Sequence, residues 1–551
     1  MPGTNIVDVL IIGSGASAGP FAFHLSSLTG LKIMCLEQGD WVGKSTYKSE
    51  AQLERERLAT PPQQGTRYFA NGYPYDYTDA PIWRPILANQ VGGASVHYGA
   101  LWCRLLPSEF QMRTLSGMGD DWPIRYQDLA PYYDMNDRFV GVAGVPGNPA
   151  RPPKSVPLMP PHKLPAHAEV IQRGLQKLGW HFWPYERAVL TRPLNGRRPC
   201  LTNCATCVDG CPREAKNSSD VVHWPSAIKN GVVLKTRAHV REITVDKRGL
   251  ADGVVYCDAD GKEQQQKARL VVLACNGFGT PRLLLHSTSN RFPHGLANGS
   301  GVVGRNLMSH PMAGATGAFD DAPPPDPPGM PTSGLSSDQF AEADTRRGFV
   351  GSIWLNSFGY MGPTATALGY PAGSPDPTVL RNAPPAGAAL PWGRIHRAAF
   401  QERSRDIGCA FHCTELSDDF NRVELHPTLK DEFGVPGLKV FYRHGENTLK
   451  MMDFCVARVE EVLNAAGATK IVATSRSTPN HHLLGTARMG SDPKTSVVDK
   501  WGRAHEVKNL FIIDGSVFTT SGCCNPTSTI QAIALRTADY IKKNSRTLLT
   551  A

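Results

Sequence analysis

VDVLIIGSGASA, residues 7 to 18, is the stretch that settles the architecture. Val7 to Ile12 is an apolar run of strand length, suited to burial on both faces. It passes without a break into Gly13-Ser14-Gly15-Ala16-Ser17-Ala18, the G-x-G-x-x-A form of the dinucleotide fingerprint. The first glycine permits a tight turn and the second lets the backbone approach a pyrophosphate, which then rests on the N–H groups opening the next helix. A second strand-like run, Lys32 to Leu36, ends at Glu37 and Gln38, near the offset of about 20 residues at which a carboxylate takes a ribose hydroxyl. Strand, glycines, helix and acid in this order predict a Rossmann-like nucleotide-binding domain. The motif does not separate NAD from FAD, because both present the same pyrophosphate.

Beyond the fingerprint, the 551 residues exceed one hydrophobic core and suggest about two or three modules. With 41% hydrophobic and 19% charged residues the composition is globular, and apolar runs such as RLVVLAC and NLFIID are strand-length, so no membrane span is expected. The net charge of +9 carries no basic stripe, which argues against nucleic acid and leaves solubility or an acidic partner. Asp8 interrupts the first apolar run, so no signal peptide is expected and the chain is placed in the cytoplasm. Two more segments, 232–285 and 470–541, alternate β-like runs with glycine turns in the manner of residues 6–40. Proline-rich stretches at 147–165, 320–334 and much of 361–393 separate them. The 320–393 region is expected either to cover a substrate pocket or to be disordered.

The C-terminal stretch PNHHLLGTARMGSDPKTSVVDKWGRAHEVKNLFIIDGSVFTTSGCCNPTSTIQAIALR closely resembles the end of the glucose-methanol-choline (GMC) oxidoreductases, FAD enzymes that oxidise alcohols. VGGASVHYGALW (91–102), VVLACNGFGTPRLLLHS (271–287), GVVGRNLMSHP (301–311) and NRVELHP (421–427) are similar to the same family, so the resemblance spans nearly the whole chain. DWPIRYQDLAPYY (121–133) and a cysteine cluster point toward the subgroup that includes catalytic subunits of bacterial sugar dehydrogenases. The resemblance implies an α/β fold, α+β overall: a Rossmann-like FAD-binding domain interleaved with a substrate domain on an antiparallel sheet. Residues 1–110, 190–310 and 470–551 would form the first, 111–189 and 311–469 the second, with 200–212 as a cysteine insert. The three segments of similar pattern would then be pieces of one sheet. Gly13, Gly15, Ser17, Ala18, Glu37, Gln38, Gly92, Gly93, Ser95, His97, Val240, Asn276, Asp514, Gly515, Asn525, Pro526 and Thr527 would lie at the cofactor.

Oxidising an alcohol removes a hydride, which the flavin takes, and a proton, which needs a base of suitable pKa. The family motif N-x-H-x-x-G-T falls on Asn480-His481-His482-Leu483-Leu484-Gly485-Thr486 and implies His482 as that base. In a strand His481 would face the opposite side. The resemblance makes Asn525 its partner, orienting the alcohol oxygen. The same residue, before Pro526, also reads as a helix cap, with Ile530, Ile533, Ala534 and Ile541 as the apolar face that follows. His97 stands where some relatives attach FAD covalently and others only bind it; dissociable FAD is expected here. A non-catalytic electron carrier is the rival from another class, and it would need neither His482 nor Asn525.

Thirteen cysteines are an odd number in a chain too large for a simple disulfide framework, so reduced thiols are expected. Cys200-x₃-Cys204-x₂-Cys207-x₃-Cys211-Pro212 matches the tail of the ferredoxin run in its last three cysteines. An iron-sulfur cluster is the first reading, with Cys₄ zinc and unligated thiols as alternatives. Resemblance to the sugar dehydrogenases implies a three-iron, four-sulfur cluster on three cysteines, a relay toward a cytochrome-type acceptor, a small subunit, and export bound to a signal-bearing partner. An oxidase with structural cysteines is the alternative within enzymes.

Overall fold

The computed structural model describes residues 6–28, 30–42, 74–80, 87–201, 207, 210–323, 333–358, 405–478 and 482–550. Most of the proline-rich 320–393 region, together with Cys204, Asn480 and His481, lies outside them.

The fingerprint strand β1 (Val7–Ile12) is the centre of a seven-stranded sheet. Val9 and Ile11 join the core on one face, and Leu10 and Ile12 join the core on the other. Such double burial is what an uninterrupted apolar run supplies. β1 pairs in parallel with β2 (Ile33–Leu36), which pairs in parallel with β5 (Val233–Lys235). On its other side lies β8 (Glu263–Leu273), an eleven-residue strand with two halves of different composition. Its polar start, EQQQK, pairs antiparallel with β7 (Ala251–Cys257), which pairs with β6 (His239–Val245). Its apolar end, RLVVL, is gripped in parallel between β1 and β16 (Leu510–Ile512). Pieces from residues 6–40, 232–285 and the C-terminal segment therefore do share one sheet. Helix α1 (Ala18–Leu28) follows the glycine loop, and α6 (Thr527–Thr550) packs beside it.

The second sheet has six strands in the order β15-β9-β12-β11-β10-β4. These are Lys470–Ser477, Met312–Ala318, Asp406–Cys413, Ile353–Phe358, Leu335–Ser337 and Trp183–Pro184, and their pairings are antiparallel. Lys470–Ser477 thus joins this sheet and not the nucleotide sheet. Helices α3 (Ala166–Lys177) and α5 (Glu446–Ala466) cover one face. Cys409, Phe411 and Cys413 of β12 and Ile353 and Leu355 of β11 point into that core. The period of two turns His412 and Trp354 to the opposite face, toward the first sheet. A small third sheet, β3 (Tyr75–Asp79) with β14 (Pro436–Phe441) and β13 (Arg422–Lys430), packs on α4 (Asn276–His286).

Helix α2 (Tyr126–Val140) carries a buried charge cluster that braces the segment leading to the site. Asp137 accepts from Trp102 Nε1 at 2.6 Å, from Lys154 Nζ at 2.9 Å and from Arg104 Nη2. Burial pushes its pKa up, but Lys154 and Arg104 outweigh it and hold the carboxyl below its ordinary value. Its contribution to stability is therefore present above the unfolded carboxylate pKa and is lost as pH falls through the lower folded value. Asp137→Ala takes one of two carboxylate partners from each of two buried cations, Arg104 keeping Asp134 and Lys154 keeping Glu186, and is expected to lower the unfolding free energy by about 1.5–3 kcal/mol, read from denaturant midpoints at neutral pH. The deficit should shrink on acidification, when the wild-type carboxylate is itself neutralised.

Candidate active site

The candidate cofactor end is built by the turn after β1. Gly13 has φ +89°, and a Cβ there would stand 2.7 Å from the carbonyl oxygen of Ala274. Its N–H donates to Leu36 O at 2.9 Å, tying the turn to β2. Glu37 is buried and accepts from Ser14 N (2.8 Å), Ser14 Oγ (2.7 Å) and Gly39 N (2.8 Å). Desolvation raises its pKa and these hydrogen bonds oppose the rise. Gln38 follows at the end of β2, and half-buried Val240 lies in β6 beside the main core. Ser17 and Ala18 are buried at the start of α1.

Two further segments close over the loop. Gly92 donates to Ser14 O at 3.1 Å, and Gly93 lies so close that its Cβ would be 3.0 Å from Gly15 Cα. Ser95 does not face outward: its hydroxyl donates to Gly92 O at 2.6 Å and accepts from Ser219 N at 3.0 Å. His97 Nε2 is 2.8 Å from Gln90 Nε2. On the other side Asp514, raised in pKa by burial, accepts from Thr280 Oγ1 (2.6 Å), Ser516 N (2.9 Å) and Asn276 N (3.1 Å). Asn276 Oδ1 accepts from Phe278 N at 2.9 Å in the first turn of α4, and Gly515 packs on Leu483 O.

The loop has room for a ligand. A Cβ at Gly15 would meet only Ala274 O, at 3.9 Å, among the described residues. Near the start of α6, Asn525 Oδ1 and Ser528 Oγ are buried with no hydrogen-bond partner among the described residues, as is Ser516 Oγ. An open glycine loop, a buried acid at the ribose offset and unmet acceptors beyond it suit a long dinucleotide.

Beyond that row of groups three histidines meet. His482 is buried, with Nδ1 3.0 Å from His310 Nδ1 and Nε2 3.5 Å from Asn525 Nδ2. Its ring stands at 87° to that of His310, centroids 4.8 Å apart, and lies 6.5 Å from His412. His310 Nε2 contacts Ser521 O at 3.1 Å. Trp354 adds an aromatic wall 6.0 Å from His412, with Arg151 5.9 Å from the Trp354 ring centroid. His482 and Asn525, separated by 43 positions in sequence, are thus brought together. Asn525 turns its amide to His482, while Pro526 accepts from Ile530 N at 2.9 Å in the first turn of α6. Ile533, Ala534 and Ile541 are buried and Ile530 packs on the core, as the apolar face predicts.

Sequence reasoning gave no role to His310, His412 or Trp354. His310 lies in the quoted stretch GVVGRNLMSHP, where a histidine before proline was the available signal. β12 is buried at all eight positions, so nothing in its pattern singles out His412.

The cysteines give a mixed outcome. None of the described cysteines forms a disulfide, in line with reduced thiols. Cys207 and Cys211 are buried and Cys200 is half-buried. No group of three metal-ligating side chains assembles among the described residues, and Cys204 falls outside them. Lys216, fully buried, donates from Nζ to Val96 O (2.7 Å), to Tyr98 O (3.1 Å) and to Cys207 O, fastening the cysteine segment to the stretch that carries His97.

A glycine-loop nucleotide sheet facing an antiparallel sheet, with a histidine pair and an amide between them, defines a flavin-type oxidoreductase. Residues 88–312 and 417–534 match the N-terminal and C-terminal models of the GMC oxidoreductase family. The chain is 36% identical over 560 residues to 2-methyl-1,2-propanediol dehydrogenase of Mycolicibacterium austroafricanum, covering 97% of this chain and 95% of that protein. It is 30% identical over 566 residues to the fructose dehydrogenase large subunit of Gluconobacter japonicus, covering 98% of each. Pyridoxine 4-oxidase from Mesorbium loti shares the fold, with a TM-score of 0.65 at 16% identity over 97% of this chain and 99% of that one. The chain belongs to the GMC oxidoreductase family: it is an FAD-binding oxidoreductase that acts on CH–OH groups of alcohols or sugars. No described helix is long and apolar enough to cross a membrane.

Proposed function

We propose that this chain is a dehydrogenase that oxidises a hydroxyl of a sugar or small diol, with His482 as the base and Asn525 orienting the alcohol oxygen. One observation carries the assignment: the contact of His310 Nε2 with Ser521 O. A carbonyl can only accept, so neutral His310 holds its proton on Nε2 and presents Nδ1 as an acceptor. The 3.0 Å contact then requires His482 to donate from Nδ1, which makes Nε2 its acceptor atom, on the side of Asn525. An alcohol bound there donates its proton to His482 Nε2 and accepts from Asn525 Nδ2. When bound, FAD supplies the hydride acceptor, held by the Gly13–Ala18 loop, Glu37 and the groups around Asp514 and Asn525. His97, engaged with Gln90, binds beside it without a covalent bond in this reading.

The substrate class follows the names of the relatives: one dehydrogenase acts on a small diol and another is the large subunit of a fructose dehydrogenase. Anaerobic addition of 2-methyl-1,2-propanediol, fructose and a panel of other sugars and alcohols to the purified protein, followed by flavin absorbance, tests the class. Reduction by none of them would reject it. We read residues 1–110, 190–310 and the chain after 477 as the cofactor part and the rest as the substrate part, since Lys470–Ser477 pairs with the substrate-side sheet.

A companion small subunit, an acceptor of cytochrome type and either a cytoplasmic place or export with a signal-bearing partner belong to the same proposal. Cys204, Cys207 and Cys211, with Cys200, would hold an iron-sulfur cluster, which supplies one-electron exchange. The support is thiol chemistry, spacing and the Lys216 link to the His97 segment. Cys207→Ser is expected to lower iron and sulfide content while flavin reduction by substrate stays within about twofold and turnover with a protein acceptor falls. Wild-type protein prepared without air and lacking iron would favour an oxidase with structural cysteines.

A further inference from the structure

In the proposed reading the tautomers of the histidine pair follow from one carbonyl, that of Ser521, and one buried residue is hydrogen-bonded to Ser521 twice. Glu415 lies just past β12 and is buried. Its main-chain N–H donates to Ser521 Oγ at 2.7 Å, and its carbonyl accepts from Ser521 N at 3.3 Å. Its carboxylate accepts from Ser309 N, the residue before His310, at 2.6 Å, and from Tyr442 OH at 2.7 Å. Glu415 is therefore joined at once to the arm that carries His310 and to the arm that runs through Ser521 to Asn525. We infer that Glu415 is the positioning residue of this site, setting the register of His310 and Ser521 and thereby the tautomer and aim of His482. The inference rests on His482 acting as the base.

The groups around the carboxyl fit that role. Ser309 N–H can only donate and the Tyr442 hydroxyl can donate or accept, so an ionised carboxylate accepts from both, whereas a protonated carboxyl keeps Ser309 only by turning its own O–H toward Tyr442 and reversing that bond. Burial is the chief cause of a pKa pushed up to about 7, opposed by Ser309 N–H and the Tyr442 hydroxyl and reinforced by Asp418 on the same loop. The clamp is complete above that pKa and loosens below it. When His482 takes the proton of an alcohol, the ionised Glu415 also supplies negative charge to the buried site that has become cationic. Tyr442 extends the link outward, since it bonds Thr478, whose Oγ1 is 3.1 Å from His444 Nε2.

Glu415→Gln keeps the shape but, at every pH, either reverses the Tyr442 bond or sets its N–H₂ against Ser309 N–H. The test uses the FAD-loaded full chain and the sugar or diol from the panel that reduces it fastest. Flavin content and thermal midpoint are recorded first, then the rate of anaerobic flavin reduction from pH 5.5 to 9 for wild type, Glu415→Gln, Tyr442→Phe and His482→Ala. The expected result is a limiting rate for Glu415→Gln between about 10- and 100-fold below wild type, as for a sub-ångström misaim of a base, with KM nearly unchanged and one ionisation gone from the acid limb. Tyr442→Phe removes a hydrogen bond that lowers the Glu415 pKa, so its acid limb should move to higher pH, which keeps the test open if Glu415→Gln fails to fold. A wild-type rate and pH profile in Glu415→Gln, or an unmoved acid limb in Tyr442→Phe, overturns the inference while an inactive His482→Ala leaves the base assignment standing. A fully active His482→Ala would overturn both.

Discussion

Replacing His482 by alanine should leave a yellow, folded, FAD-loaded protein whose flavin is reduced by substrate about 10²–10⁴-fold more slowly. The reason is a division of labour in the fold. In the proposed site, cofactor retention would depend on the Gly13–Ala18 turn, on Glu37 and on the Asp514 cluster, whereas His482 lies on the segment facing the second sheet and meets His310 and Asn525. Rapid mixing under anaerobic conditions reads the flavin directly and separates this step from reoxidation. Substrate affinity should change far less than the rate, because Asn525 and the His412 and Trp354 side of the site remain. Near wild-type reduction would remove His482 from the chemistry and leave His481 as the next candidate.

Two glycine substitutions in the fingerprint should fail in different ways. Gly13→Ala asks a side chain to adopt φ +89° and to sit 2.7 Å from a backbone oxygen at the end of β8. The left-handed conformation alone costs about 1–2 kcal/mol, and the clash can be relieved only by moving two central strands apart. Its thermal midpoint should drop and it should be isolated with little FAD. Gly15→Ala meets only ordinary contact with Ala274, so its fold should survive while its methyl group enters the space for the pyrophosphate. Flavin content and unfolding with and without added FAD distinguish the two. Normal FAD loading in both would mean that the cofactor does not rest on this turn.

Much of the nucleotide half was legible because its signals are local. An apolar run, two glycines, a helix and an acid at a fixed offset act within about 30 residues, and the chemistry of phosphate binding dictates their order. The family resemblance put the three segments of like pattern into one sheet, and strands from residues 6–40 and 232–285 and the strand Leu510–Ile512 do lie there, whereas Lys470–Ser477 does not. The boundary at 470 was read from the same texture, yet Lys470–Ser477 alternates exposed and half-buried residues and pairs as an edge strand with Met312–Ala318. Alternation marks a strand but not which sheet receives it.

What the sequence determined by itself is the nucleotide turn, the family's motifs and the chemical identity of the candidate base and amide. Only the tertiary structure decided which other groups face them. His310 lies 172 positions from its histidine partner, and Glu415 reaches Ser309 and Ser521 across 106 positions on either side. Nothing local distinguishes Glu415 from a surface acid or His412 from its buried neighbours on β12. Their roles arise from the pleat that turns alternate residues to opposite faces, and from the packing that brings distant loops within hydrogen-bond reach. Such contacts depend on where chain segments cross, and the tautomer of the proposed base depends on them in turn.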